Sequence, residues 1–309
     1  MPRKRGEWLA VCTSAAPMAA VRKQPAVGAS VATTPEGAAR IHAVLRRVAA
    51  DARPQARAVV LAAHPEDETL GAATLLSRLS DPWVIGVTDG APRDPRFVPE
   101  GAPVDTVAYA RLRRREMCAA LTLTGVGADR MLQLGIPDLA ASEDLPKLVH
   151  RLALLFRGLK PQLVVTHAYE GGHPDHDAAA FAAQAAVERL GREEGWAPSV
   201  VEMLSYHQEG DELVADRFLA APTDRFGVSL RLSPRERRLR RQMLECFASQ
   251  SALLRRIGDR AFERFRPAPR YDFSRAPHPG PLHYELMGLG VTGRSWRRLA
   301  AAAADALAA

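Results

Sequence analysis

The sequence contains few cysteines, and their placement excludes two common structural frameworks. Only three occur in 309 residues, at Cys12, Cys118 and Cys246. An odd number of widely separated cysteines forms no disulfide framework and lacks the paired spacing of a zinc ribbon. Free cysteines are typical of proteins in a reducing compartment. We therefore expect a cytoplasmic location.

Lysine is also scarce, so the positive charge is almost entirely arginine. The formal net charge is +7, yet the chain has only four lysines: Lys4, Lys23, Lys147 and Lys160. Arginine together with abundant alanine indicates genomic base composition as much as selection for a binding partner. Net charge bears on solubility and non-specific binding rather than on fold. We expect no nucleic-acid partner.

Long apolar runs are absent, although 47% of the residues are hydrophobic. No run approaches the roughly 20 residues that a membrane-spanning helix needs, so we expect no integral membrane span. The first residues are basic and then mildly apolar, which fits either a weak signal peptide or a disordered leader. Residues 22–40 are rich in Pro, Gly, Ala and Thr, and we favour a disordered leader over residues 1–40.

Strand-like and helix-like segments alternate from about residue 42 onward. Short apolar runs such as "ARAVVLAAH" (56–64) and "QLVVTH" (162–167) read as buried strands, and the segments between them show helical spacing of apolar residues. Such alternation predicts an α/β fold: a Rossmann-like, mostly parallel sheet with helices on both faces. We assign residues 41–210 to this core domain.

Residues 211–309 read as a C-terminal helical and Pro-rich segment that packs on the core. Ser233, Pro234 and Glu236 form a capping box that starts a helix with an apolar face running to Leu254. The arginines between the apolar positions are expected to form a solvated face: Arg235, Arg237, Arg238, Arg240 and Arg241. The Pro-rich stretch 266–283 either covers the sheet edge and sets specificity or is a stiff surface strap.

Two motifs carry chemistry, and each directly follows a predicted strand. The first is "HPEDE" (64–68) and the second is "GGHPDH" (171–176). If the two strands are parallel in one sheet, their carboxyl ends face the same crevice, where open α/β sheets bind ligands. The motifs and the end of the second strand then bring together seven side chains: His64, Glu66, Asp67, His167, His173, Asp175 and His176.

This set satisfies the donor requirement of a catalytic zinc site. Such a site takes three protein ligands and keeps one position for water, and two histidines with one carboxylate suffice. From the residues alone, the choice between Glu66 and Asp67, and between His173 and His176, stays open. Either motif by itself reads more simply as acidic residues placed at a helix N-terminus. The two motifs together, each at a strand end, favour the metal site.

The paired motifs resemble those of the PIG-L / LmbE-like N-deacetylases. The resemblance spans roughly residues 56–210 and extends to "VTDGA" (87–91), to Arg113 and Glu116 in a helix, and to "LGIPD" (134–138). It is weaker at the "SQ" of residues 249–250. The resemblance implies a zinc-dependent hydrolase, with one Zn²⁺ per chain, that removes an acyl group, usually acetyl, from an amino-sugar nitrogen.

The resemblance also implies roles for individual residues. The zinc ligands would be His64, Asp67 and His176, and the general base would be Glu66. His173 would polarise the acyl oxygen or protonate the leaving amine, and Asp175 would orient His173. Glu66 departs from the family, which usually has Asp there. The extra methylene changes the reach of the carboxylate, and a general base must lie within hydrogen-bond reach.

Substrate contacts are expected from Arg113, Asp89 and His167. Arg113 matches a family position that faces the substrate, and its planar fork suits sugar hydroxyls or phosphate. The alternative is an ion pair within the helix with Glu116. Asp89 ends a strand at the same edge, and its alternative is a side chain that stabilises the turn.

We therefore expect hydrolysis of an N-acetyl amide on an amino sugar or glycoconjugate. Two alternatives stay open: a non-catalytic sugar-binding protein on the same fold, and an iron enzyme with two histidines and one carboxylate. Such iron sites usually lie in β-barrels, which the α/β pattern disfavours. The expected partner is a small-molecule or glycoconjugate substrate. The sequence leaves the oligomeric state open, including a homo-oligomer.

Overall fold

The computed structural model describes residues 35–50, 54–99, 101–257 and 260–308. Residues 1–34 of the predicted leader lie outside the described residues, and residues 35–40 begin the first helix. Within the described part, no helix combines the length and the apolar character that crossing a membrane requires.

Five parallel strands form the centre of the sheet, as the alternating pattern predicted. They are β1 (Arg57–Ala62), β2 (Asp81–Thr88), β3 (Met131–Ile136), β4 (Leu163–His167) and β5 (Ser199–Met203). Their order across the sheet is β3-β2-β1-β4-β5. Strands β2 and β3 are thus added in order on one side of β1, and the chain then crosses to the other side of β1 for β4 and β5. The mostly parallel α/β fold is confirmed.

Four further strands follow β5 in the described residues, and these were not predicted. Two of them, β6 (His207–Glu209) and β7 (Glu212–Val214), form a separate antiparallel hairpin. Strands β8 (Val228–Arg231) and β9 (Phe262–Pro267) then pair with each other, and β9 pairs antiparallel with β5. The C-terminal segment therefore supplies part of the seven-stranded sheet itself.

Helices cover both faces of the sheet, and β1 shows why. Val59 and Leu61 face one apolar core, whereas Ala58 and Val60 face the other, as the two-residue period of a strand requires. The first core is closed by α4 (Leu145–Leu159), α5 (Pro174–Glu194) and α9 (Gly293–Ala308). The second is closed by α1 (Pro35–Ala49), α2 (Asp67–Arg78), α3 (Thr106–Thr122) and α6 (Pro234–Glu245).

The capping box predicted at Ser233 is present at the start of α6. The Ser233 backbone N–H donates to Glu236 at 2.8 Å, and the Glu236 N–H donates to the Ser233 hydroxyl. The helix is shorter than its apolar pattern suggested, because it ends at Glu245. A 3-10 turn at residues 248–250 separates it from α7 (Ser251–Ile257). The short α8 (His283–Leu286) follows the Pro-rich stretch.

Helix α2, which carries the first motif, is kinked at Ala72, and two buried charges stabilise the kink. Ala72 has φ −146° and ψ 19°, outside the helical region. The carboxylate of Glu263 on β9 accepts the N–H groups of Thr74 at 2.7 Å and Leu75 at 3.1 Å. Arg240 on α6 donates to the carbonyl of Leu70 at 3.0 Å. These contacts satisfy backbone groups that an interrupted helix leaves unpaired.

Arg240 therefore corrects the prediction of a solvated arginine face on α6. It is fully buried, and it also donates to the carbonyl of Arg260 at 2.8 Å. Helical spacing placed it among exposed arginines, but α2 packs against that side of the helix.

We predict that Glu263→Ala lowers the free energy of unfolding by about 3 kcal/mol or more, because each buried donor left unpaired costs about 1–3 kcal/mol. Glu263→Gln keeps one acceptor oxygen and should lose less. Glu212→Ala, an exposed glutamate on β7, is the matched control and should change stability by less than about 0.5 kcal/mol. Denaturant unfolding measures all three. Equal stability of the Ala variant and the control would contradict the role assigned to Glu263.

Candidate metal and catalytic site

The carboxyl ends of all five parallel strands meet at one edge, where the predicted residues gather. The turn after β1 carries His64 and Glu66 and leads to Asp67 at the start of α2, while the loop after β4 carries His173 and leads to His176 in the first turn of α5. The loops after β2, β3 and β5 bring three more residues: Gly90, Asp138 and Tyr206. Because β1 and β4 are neighbours in register, the two motifs lie side by side.

One carboxylate oxygen, Asp67 Oδ2, is the point where the histidines converge. It lies 3.1 Å from His64 Nδ1, 3.3 Å from His176 Nε2 and 3.5 Å from His167 Nε2. It also accepts the backbone N–H of His64 at 2.8 Å. Burial would raise the pKa of Asp67, but the facing imidazoles of His176 and His167 hold it well below the usual value.

The histidine–carboxylate cluster contains three sets of side chains whose candidate ligand atoms lie within 4.8 Å of one another. The sets are His64, His173 and His176; His64, Asp138, His173 and Asp175; and Asp67, His167 and His176. Such a group could hold a metal ion. Its histidines and carboxylates match the donors that zinc takes.

One observation tests whether the predicted triad of His64, Asp67 and His176 fits a metal. His176 Nδ1 lies 3.3 Å from the Ser205 hydroxyl, whereas its buried Nε2 makes no hydrogen bond to any described residue. That nitrogen faces Asp67 Oδ2 at 3.3 Å. Metal-binding histidines commonly anchor one ring nitrogen on a neighbour and leave the other for the ion. The donor set therefore fits a metal.

His64 is anchored in the same way, by two carboxylates on its far side. Its Nε2 lies 3.1 Å from Asp138 and 3.2 Å from Asp175. Burial alone would lower the pKa of His64, but hydrogen bonds with Asp138, Asp175 and Asp67 raise it well above the usual value. Asp138, the last residue of the "LGIPD" segment, is thus a direct neighbour of a predicted ligand.

Glu66 occupies an unusual backbone position at the start of α2. Its φ is 108°, in the left-handed region, and its carbonyl accepts the N–H groups of Thr69 and Leu70. Non-glycine residues in this region cluster at functional sites, where the surrounding structure holds them. The side chain lines the cavity, and its Oε2 lies 2.6 Å from Arg113 Nη2. Burial raises the pKa of Glu66 to about 8, although Arg113 opposes this shift.

Arg113 pairs with Glu66 across the site and not with its own helix neighbour. It also donates to the carbonyl of Pro65 at 2.9 Å, and Gly90 packs against it, since a Cβ at Gly90 would lie 2.8 Å from Arg113 Nη2. Glu116 instead accepts from the backbone N–H and the hydroxyl of Ser249, at 2.9 and 2.6 Å. Glu116 of the Arg-x-x-Glu pattern therefore contacts Ser249 of the Ser-Gln pattern.

His173 caps α5, and this contact fixes its tautomer. The ring Nδ1 accepts the backbone N–H of Asp175 at 3.2 Å, so the neutral ring carries its proton on Nε2. Burial and the nearby His64 lower the pKa of His173 well below the usual value. The Asp175 carboxylate lies 4.0 Å from His173 and accepts instead from the N–H groups of Leu139 and Ala141.

The structure places two predicted substrate-binding residues away from the cavity wall. His167 is buried beneath His176, with ring centroids 3.9 Å apart, and accepts the N–H of Ala63. Asp89 accepts the N–H of Ala91 at 3.0 Å and pairs with Arg93 at 2.7 Å, which is the turn arrangement that the sequence left open.

Arg113, the third predicted substrate-binding residue, does line the cavity. Sequence reasoning did not single out Tyr206, which also lines it and lies 5.4 Å from the His176 ring.

The Pro-rich stretch 266–283 reaches the site only at its end. Its start is the end of β9, and Tyr271 and Phe273 pack on Tyr169, with ring centroids 5.5 and 4.9 Å apart. His283 contacts the ring of Tyr206, with centroids 5.6 Å apart. Most of the stretch therefore lies along the core closed by α4, α5 and α9.

We predict that Gly172→Ala disrupts the second motif, because a Cβ there would lie 2.1 Å from the backbone carbonyl of Tyr206. The loss of stability should be about 1–3 kcal/mol, as for other overpacked positions. Gly158→Ala on α4 is the matched control, since a Cβ there meets nothing within 4 Å. It should be neutral or stabilising by up to about 1 kcal/mol. Thermal unfolding shows whether each substitution lowers or raises stability. An unchanged melting temperature for Gly172→Ala would contradict the close approach of the Gly172 backbone to Tyr206.

Comparison with known proteins identifies the same region of the chain. Residues 59–187 match the family model of PIG-L, described as GlcNAc-PI de-N-acetylase. The chain is 31% identical over 160 residues to 1D-myo-inositol 2-acetamido-2-deoxy-alpha-D-glucopyranoside deacetylase 3 of Catenulispora acidiphila, covering 43% of this chain and 45% of the relative. It is 30% identical over 143 residues to mycothiol S-conjugate amidase of Streptomyces coelicolor, covering 40% and 48%. The chain thus spans about half the length of these relatives.

Solved structures share the fold at lower identity. The zinc-inhibited form of teicoplanin deacetylase Orf2 superposes with a TM-score of 0.51 at 18% identity, covering 70% of this chain and 99% of that one. GalB, the 4-carboxy-2-hydroxymuconate hydratase of Pseudomonas putida, gives a TM-score of 0.51 at 16% identity, covering 70% and 98%. The fold therefore accommodates more than one reaction. The motifs, the match over residues 59–187 and the architecture agree, and the resemblance to the PIG-L family is confirmed for this segment.

Proposed function

We propose that this chain is a zinc-dependent hydrolase that releases acetate from an N-acetylated amino sugar or glycoconjugate. The observation that carries the proposal is the convergence of His64 Nδ1 and His176 Nε2 on one oxygen of Asp67, in a cluster whose cavity Glu66 and His173 also line. The two relatives, a deacetylase of an acetamido sugar and an amidase, support amide hydrolysis as the reaction class.

His64, Asp67 and His176 would hold the metal ion. When bound, zinc would lower the pKa of a coordinated water and polarise the amide carbonyl. The outer contacts of these ligands would set their orientation: Asp138 and Asp175 on His64, and Ser205 on His176. Such partners fix ring orientation and ligand basicity in metal sites generally.

Glu66 would accept the proton of the attacking water. It lines the cavity beside the proposed metal ligands His64 and Asp67, and a general base must lie within hydrogen-bond reach of the proton that it accepts. After the amide carbon–nitrogen bond breaks, the same carboxyl would return the proton to the leaving amine. Arg113, 2.6 Å away, would keep the carboxylate in place through both steps.

His173 would donate a hydrogen bond to the amide oxygen as negative charge develops there. The backbone N–H of Asp175 occupies its Nδ1, which leaves the Nε2 proton for the substrate. Its lowered pKa favours this neutral role over protonation of the leaving amine. Asp175 would contribute to the position of His173 through its backbone and to that of His64 through its carboxylate.

Acetate release from a panel of N-acetylglucosaminyl compounds, with and without added zinc, tests the proposed reaction. Metal analysis of the aerobically purified protein distinguishes zinc from iron. Sugar binding without any acetate release would instead support a binding protein on this fold.

We predict that Glu66→Gln keeps bound zinc but loses about 10²–10⁴-fold in turnover, the usual contribution of a general base. Glu66→Asp restores the carboxylate at the residue type that the family usually has, and it should recover much of the activity. Zinc content and kcat are measured on the same preparations. Full activity of the Gln variant would remove Glu66 as the base.

We predict that His176→Ala loses zinc affinity by more than about 100-fold, since even outer contacts of metal ligands are worth about 10–100-fold. His150→Ala, which replaces a histidine at an exposed contact with Arg189 on the far helices, should bind zinc as the unmodified chain does. Zinc titration with a competing chelator measures both. Stoichiometric, tight zinc in the His176 variant would exclude this residue from the ligand set.

A further inference from the structure

The cavity beside the proposed metal ligands is small, and both polar and apolar side chains line it. Its volume is about 110 Å³. The polar lining includes Glu66, Asp67, Asp138 and His173. The apolar lining consists of Leu70 from α2, Pro92 and Phe97 from the loop after β2, and Leu253 from α7. We call these last four residues the apolar wall.

Hydrogen bonds stabilise the segments that carry Phe97 and Leu253 of the apolar wall. Phe97 ends a 3-10 turn at residues 95–97, where the Asp94 side chain accepts the N–H of Arg96 and the Phe97 N–H donates to the Asp94 carbonyl. Leu253 follows Ser249 and Gln250. Ser249 is bonded to Glu116, and Gln250 donates to the hydroxyl of Tyr109 at 2.7 Å.

Leu253 is 38% exposed although it lines the cavity. Apolar side chains that line a cavity offer hydrophobic contact to a bound ligand. The wall thus offers hydrophobic contact next to the groups that would cleave the amide.

The charges around the cavity do not suit a phosphate group. Among the described residues that line it, Arg113 is the only arginine or lysine. Glu66 pairs with its Nη2, while its Nε and Nη1 atoms are buried and make no hydrogen bond to any described residue. The arginines of the neighbouring loop are paired, Arg93 with Asp89 and Arg96 with Asp94. Glu66, Asp67 and Asp138 also line the cavity, so a phosphate there would meet three carboxyl groups for one arginine.

Resting on the proposed function, we infer that the substrate carries an uncharged apolar group beside its acetamido sugar, and that Phe97 and Leu253 bind this group. The substrate class is therefore an N-acetylamino sugar joined to an aromatic or alkyl aglycone. Sugar phosphates and nucleotide-linked sugars are poorer substrates.

The test compares acetate release by the zinc-loaded full chain from four compounds. These are the methyl, phenyl and octyl β-glycosides of N-acetylglucosamine and N-acetylglucosamine 1-phosphate. The phenyl or octyl glycoside should exceed the methyl glycoside in kcat/KM by about tenfold or more, the usual gain from a filled apolar subsite. The 1-phosphate should be no better than the methyl glycoside. Equal values for the three glycosides, or a preference for the phosphate, would overturn the inference.

Two variants assign the preference to the wall. Phe97→Ala and Leu253→Ala should each lower kcat/KM for the preferred glycoside by about tenfold, mainly through KM, and so bring it close to the value for the methyl glycoside. Leu154→Ala, an exposed leucine of α4 outside the cavity, is the matched control and should change neither substrate. Thermal unfolding checks that each variant is folded. An unchanged preference in both folded wall variants would exclude the wall as its source.

The outcomes separate this inference from the proposed function. Acetate release from all glycosides with equal efficiency would leave the hydrolase in place and remove the apolar subsite. Release from none of the four compounds, with zinc bound, would count against both.

Discussion

The contact on which the site depends is the carboxylate oxygen of Asp67 that three imidazoles face. His64 comes from the turn after β1, His167 from the end of β4 and His176 from the first turn of α5. They meet because β1 and β4 are hydrogen-bonded neighbours at the point where the strand order reverses, which is where open α/β sheets form their binding crevice. A buried carboxylate without such partners would be neutral. The imidazoles keep the pKa of Asp67 low, and this negative charge suits a cation.

Asp67 also begins α2, so its position depends on residues far along the chain. The helix is interrupted at Ala72, within six residues of the site. Glu263 from β9 and Arg240 from α6 satisfy the backbone groups on either side of that kink. The C-terminal segment is therefore part of the support of the site, although both motifs lie in the first two-thirds of the chain. A truncation before β9 would remove the strand that joins β8 to β5 in the sheet and leave α2 without this buried acceptor.

The sequence was sufficient for features that depend on local pattern. Buried strands, amphipathic helices and the capping box at Ser233 follow from nearest-neighbour chemistry, and the two motifs at strand ends follow from the rule for parallel sheets. The sequence did not predict contacts between segments that are distant along the chain. Nothing near Arg240 indicates that α2 covers it, and nothing near Glu263 indicates that it accepts hydrogen bonds from a helix about 190 residues earlier. Asp138 and Tyr206 join the cavity for the same reason, since loops after β3 and β5 approach it only once the sheet is assembled.

Glu66 stands where the family usually has aspartate, and helix α3 connects it to the segment that precedes Leu253. Arg113 and Glu116 are one turn apart, and each pairs outside its own helix. Arg113 contacts the carboxylate of Glu66, and Glu116 contacts Ser249, which precedes the wall residue Leu253. The longer side chain of glutamate carries the carboxylate to Arg113 at 2.6 Å while its backbone holds the left-handed start of α2. The proposed base and the apolar wall therefore share one rigid support, so a shift of α3 would move the proton acceptor and the substrate-binding surface together.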